Sequence, residues 1–157
     1  MATQHTHDVH PHSTAKIGDH PIHPMLIPFP IVCFILTFAA DVAYSRTTTP
    51  FWATSSKWLL GIGLVMAALA AVTGLTDYVG DAKLRSSSDA LKHMLANVTA
   101  VVLELVNFLL RLNNPDFVTS TGVYISGVVV LILLYSGWKG GDLIYRSGVA
   151  VHPTSED

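Results

Sequence analysis

Gly18-Asp19-His20-Pro21-Ile22-His23-Pro24-Met25-Leu26-Ile27-Pro28-Phe29-Pro30 leads directly into an apolar run that continues to Tyr44. The reading of this stretch decides the fold. A membrane span takes about 20 mostly apolar residues, and Met25 to Tyr44 meets that length. Proline is tolerated in the first turn of a helix and damaging further in. Pro28 and Pro30 therefore predict a helix starting near Pro28, with His20 to Ile27 extended or irregular. Non-helical backbone cannot face lipid, so this lead-in must lie at the interface or pack inside the protein. It carries two histidines three residues apart, each followed by a proline that biases it toward extended backbone. Imidazole is the commonest protein metal ligand and titrates near neutral pH. Two such rings at the mouth of a span call for a chemical reason.

Three more apolar runs follow, and the expected spans are residues 28–44, 58–76, 91–110 and 118–138. The expected fold is all-α: a four-helix transmembrane bundle with a Pro-rich, non-helical N-terminal lead-in. Residues 1–17 read as a His-rich disordered tail, 18–148 as the membrane domain and 149–157 as a C-terminal tail. Composition agrees. Of 157 residues half are hydrophobic and 13% are charged, against about 25% charged in soluble domains. A net charge of −2 offers no basic surface for nucleic acid. The single cysteine, Cys33, cannot form an internal disulfide and reads as a small apolar residue. The first 19 residues lack the apolar core of a cleavable signal, so targeting is expected from the first span. His5, His7, His10 and His12 form a polar tract that suits only weak metal binding.

Lysine and arginine set the expected orientation. Lys16, Lys83, Arg85, Lys92, Lys139 and Arg146 fall on the side of both termini, and Arg46, Lys57 and Arg111 on the other. Both termini are thus expected in the cytoplasm. Asn113 to Asp116 and Ser45 to Pro50 read as outer turns, Arg85 to Asp89 as an inner loop whose Ser88 or Asp89 caps the third helix. No internal repeat is evident.

This topology delivers polar groups to one level. His20 and His23 lie at the cytoplasmic end of the first span, Asp77 at that end of the second and His93 one turn into the third. His93, Asn97, Glu104, Asn107 and Arg111 fall within an arc of about 80° on the third helix. One polar stripe on an apolar span should face the bundle interior. Asn97, one turn from His93, is placed to orient its ring. Arg111 is expected to snorkel to the outer interface or to pair with the deeper Glu104. Glu104, Asn107 and Arg111 form a candidate polar path. Gly61, Gly63, Gly74 and the alanines between them permit close helix approach, within one chain or in a homo-oligomer.

His20-Pro21-Ile22-His23-Pro24, Gly74 with Asp77-Tyr78, His93 with Asn97, and Gly140-Gly141 with Tyr145 together resemble a bacterial family of predicted four-helix membrane proteins. That family is known as domain of unknown function 2231. The resemblance runs through nearly the whole chain after residue 17 and implies a bacterial inner-membrane protein. Its association with Rieske-type and cytochrome modules implies a redox setting. It assigns no residue a role.

Three functions compete on the residues themselves. In the first, His93 and either His20 or His23 ligate a b-type haem that exchanges electrons with quinone or a soluble redox protein. In the second, His20, His23, His93 and Asp77 hold zinc, iron or copper without porphyrin. In the third, the histidines cap helix ends in a structural or transport-related subunit. A stand-alone enzyme is not indicated, since no Gly-x-Ser-x-Gly, His-Glu-x-x-His or phosphate loop occurs.

Overall fold

The computed structural model describes residues 15–18, 20–114 and 117–147. A two-residue ladder, β1 (Lys16–Ile17) against β2 (His20–Pro21), opens the described chain. Gly18 makes its turn with φ of +62°, a conformation glycine adopts without strain. A single helical turn α1 (Ile22–Leu26) follows, then α2 (Pro28–Thr47) and α3 (Pro50–Gly80). The short α4 (Ala82–Ser86) leads to α5 (Ser88–Asn113). A π-helical turn at Val118–Gly122 runs into α6 (Val123–Ser147). Four helices are long and apolar enough to span a membrane: Ile22–Thr47, Pro50–Gly80, Ser88–Leu112 and Val118–Tyr145.

The regular first helix starts at Pro28, as expected, but the lead-in is not extended throughout. Ile22 to Leu26 turn helically because Pro24 sits in the first turn, where backbone N–H groups have no helical partner anyway. Pro28 then cannot donate to the carbonyl of Pro24, and the helix restarts. The other helices outrun their apolar cores. Thr48, at φ of +54°, ends α2 in a left-handed cap, and Pro50 opens α3 immediately. The turn between them, Thr48 and Thr49, lies inside the expected outer turn Ser45 to Pro50, and α3 begins before the expected span at 58. Ser87, rather than Ser88 or Asp89, caps α5 by accepting the N–H of Ala90 at 3.3 Å.

Around the bundle α2 touches α3 and α6, and α5 touches α6 and α3. α2 and α5 thus face each other across one diagonal, α3 and α6 across the other. The inward positions of α1–α2 are His23, Ile27, Pro30, Phe34, Thr37 and Asp41. Those of α5 are His93, Asn97, Ala100, Glu104, Asn107 and Arg111, the same series displaced by 70 residues. α3 and α6 repeat the relation with a displacement of 66. Ser56, Leu60, Gly63, Ala67, Ala70, Gly74 and Asp77 match Gly122, Ser126, Val129, Leu133, Ser136, Gly140 and Leu143. All four series step by four and three residues alternately, the spacing that packs parallel and antiparallel helices knobs-into-holes.

The chain is therefore two helical hairpins related by a pseudo-two-fold axis along the bundle. This corrects the reading that no repeat is present. The repeat lies in which positions are buried, not in which residues occupy them: along the α2 and α5 series only His23 and His93 are identical. The apolar centre comprises Phe34, Leu60, Ala67, Ala100, Val129 and Leu133. Outward faces carry exposed Trp58, Val65, Val72, Leu131, Leu134 and Trp138, the surface a bilayer solvates.

Candidate functional site

Each repeat places one histidine ring on a glycine of its partner helix. His23 lies over Gly74, and a Cβ built there would come within 2.7 Å of the ring. His93 lies over Gly140, where the same atom would stand 3.1 Å away. Each ring's Nδ1 meets the carbonyl four residues before its glycine: Ala70 O for His23 at 2.8 Å, and Ser136 O for His93 at 2.9 Å. A carbonyl only accepts, so Nδ1 carries the proton in both rings. The free lone pair is then on Nε2. Gly74, read from sequence as a packing residue, and Gly140 are thus the seats of the two rings.

Asn97 orients His93, as its position one turn away suggests. Its Nδ2 donates to the carbonyl of His93 at 2.9 Å and to Ser136 Oγ at 2.7 Å, and lies 3.1 Å from His93 Nε2. The amide has two hydrogens, and the first two acceptors can hold both. Nε2 can therefore be released without orphaning a donor. Ser136→Ala should cost about 0.5–1.5 kcal/mol, the worth of one hydrogen bond. It should leave the His93 ring seated, because the backbone carbonyl remains. A thermal melt in detergent with an NMR readout of the imidazole would check both halves.

The other two candidate ligands, His20 and Asp77, make contacts of their own. His20 is exposed, its backbone paired with Ile17 in the ladder. Asp77 is buried and accepts the N–H of Ala15 at 2.8 Å, tying the N-terminal segment to α3. Among the described residues no three His, Cys, Asp or Glu side chains are grouped to hold a metal ion. His5, His7, His10 and His12 lie outside the described residues.

At the turn end of the same axis sits a second polar centre. Arg111 does not snorkel. Its Nη1 and Nη2 donate to Asp41 Oδ1 and Oδ2 at 2.7 and 2.6 Å, and both side chains are buried. The remaining donors go to Ser56 Oγ at 2.6 Å, Ser126 Oγ at 3.2 Å and Asn107 Oδ1 at 2.9 Å. Every N–H of the guanidinium is used, in the bidentate geometry that suits a carboxylate. Ser126 also donates to Asp41 Oδ2 at 2.8 Å. Asn107 Nδ2 reaches Glu104 Oε2 at 2.8 Å and Ser126 Oγ at 3.0 Å. Gly122 packs closely against this centre: a Cβ there would stand 3.2 Å from both Arg111 Nη2 and Asn107 Oδ1.

The sequence reading paired Arg111 with Glu104 or with the interface and passed over Asp41, Ser56 and Ser126. One signal was available: Asp41 follows His23 by 18 residues, as Arg111 follows His93.

A family model described as predicted membrane protein (DUF2231) matches residues 19–153. No curated protein and no solved structure matches the chain.

Proposed function

For a chain that belongs to this family of predicted membrane proteins, we propose b-type haem binding at the histidine end of the bundle, in electron transfer. His23 and His93 would hold the group, each through Nε2. One observation carries the reading. Two rings, at equivalent positions of the two repeats, both give Nδ1–H to a backbone carbonyl. That bond fixes the tautomer and orientation of metal-binding histidines. A bound haem would supply one-electron chemistry, its potential set by burial and hydrogen bonding around it.

The number of ligands favours haem over a bare metal. A zinc site closes its shell with three or four protein ligands, whereas porphyrin supplies most of the coordination and leaves two axial places. His20 drops out of the ligand set, and Asp77 serves the N-terminal segment. Asn97 is a positioning residue for His93.

With Arg111 locked inside, the outer side keeps only Arg46 and Lys57 against six basic residues on the side of the termini. This supports a cytoplasmic histidine end in a bacterial inner membrane, open to quinone or a soluble redox protein. The test is an absorption spectrum of the purified protein, oxidised and reduced. A Soret band with a reduced-state b-type spectrum, lost in His93→Ala and in His23→Ala, is expected. A colourless protein with stoichiometric zinc, iron or copper would replace this reading with the non-haem one. A colourless, metal-free, folded protein would leave a structural or transport role.

A further inference from the structure

We propose that Glu104 is a proton-binding site on the axis of the bundle, holding its proton at neutral pH. The side chain is fully buried, and its Oε1 has no hydrogen-bond partner. Its Oε2 accepts from Asn107. Seven residues beyond it on α5, about 10 Å along the helix, Arg111 is the one cation of this centre. That charge is matched by Asp41, which takes both Nη groups.

A second ionised carboxylate would leave the centre with a net negative charge inside the membrane. Only the neutral Asn107 amide donates to it, and Arg111 is already engaged by Asp41. α2 brings Asp41, itself an anion, and the apolar Phe34; α3 and α6 bring the hydroxyls of Ser56 and Ser126. An isolated buried carboxylate is far costlier than the neutral acid. The neutral acid leaves only a weakly polar oxygen unpaired.

A metal cation is a poorer fit for the same vacant oxygen. Hard cations take six or more oxygen ligands. Here Oε1 is the one buried side-chain oxygen left unpaired among the described residues. A proton needs only that one. Its partner Asn107 lies toward the turn end, while Ala100, Ala67 and Leu133 of the apolar core lie on the histidine side. The site is thus separate from the proposed haem and does not depend on it.

The sequence holds two glutamates, Glu104 and Glu156. Infrared spectra of the membrane-embedded full chain carrying Glu156→Gln, with and without carbon-13 in the glutamate carboxyl, isolate the signal of Glu104. The expected result is a carbon-13-sensitive band in the protonated-carboxyl region at neutral pH, shifted by deuterium and lost in Glu104→Gln. If Glu104→Gln does not fold, the isotope shift in the Glu156→Gln protein decides alone. A carbon-13-sensitive signal found only in the carboxylate region would overturn the proposal. So would a protonated-carboxyl band that sodium or potassium removes at constant pH, which would make the site a cation site.

Discussion

Arg111→Met is expected to destabilise the folded bundle by about 3–5 kcal/mol, the cost of leaving one partner of a buried ion pair alone. The substitution removes both donors from the fully buried Asp41 carboxylate and leaves it the hydroxyl of Ser126. Ser56 Oγ and Asn107 Oδ1 lose their donor at the same time. A charge stranded inside a span is costly in its own right. The double variant Asp41→Leu with Arg111→Met should recover most of the loss, because an apolar pair of similar volume carries no stranded charge. Denaturant titration in detergent micelles measures both. An Arg111→Met protein as stable as the parent would contradict the buried pair. A double variant no better than the single would show that the pair contributes more than charge balance.

Gly74→Ala is expected to unseat His23. The new Cβ would lie 2.7 Å from Cε1 and 2.9 Å from Nδ1 of the ring, closer than any real contact. The helix backbone cannot yield as easily as the ring, which sits on a single helical turn held by a two-residue ladder. His23 should therefore swing out and lose its bond to Ala70 O. Overpacking of this kind costs about 1–3 kcal/mol, and the content of the proposed haem should fall with it. Gly140→Ala should be milder, since its Cβ would meet His93 at 3.1 and 3.3 Å, a contact that a few tenths of an ångström relieves. Soret absorbance per mole of protein, compared across the two variants, orders the effects. Equal haem content in both, unchanged from the parent, would contradict the glycine seats.

The four spans were legible because hydropathy fixes them, and Pro28 starts its helix where first-turn proline is harmless; Pro50, read as the end of a turn, instead opens α3 well before the expected span. The inward face of α5 was also legible, since His93, Asn97, Glu104, Asn107 and Arg111 stand out on an apolar helix. The matching face of α2 was not. Its occupants, Pro30, Phe34 and Thr37, look like any apolar span, and only burial reveals that they answer to Ala100, Glu104 and Asn107. Asp41 was missed for the same reason: its role depends on a residue 70 positions away. The choice between His20 and His23 was closed to spacing arguments. The structure separates the two positions: the ladder pairs His20 with Ile17 and leaves His23 one turn later on the inward face. Asp77 sits at the expected depth, yet its carboxylate serves the backbone of Ala15. Depth follows from topology, while side-chain partners follow from packing that the sequence does not spell out.

Low-temperature electron paramagnetic resonance of the oxidised, purified protein checks whether the two repeats jointly hold the proposed haem between equivalent histidines. A low-spin ferric signal of two-imidazole ligation is expected, converted to high spin or lost in both His23→Ala and His93→Ala and kept in His20→Ala. A signal that survives either of the first two substitutions, or that requires His20, would contradict it.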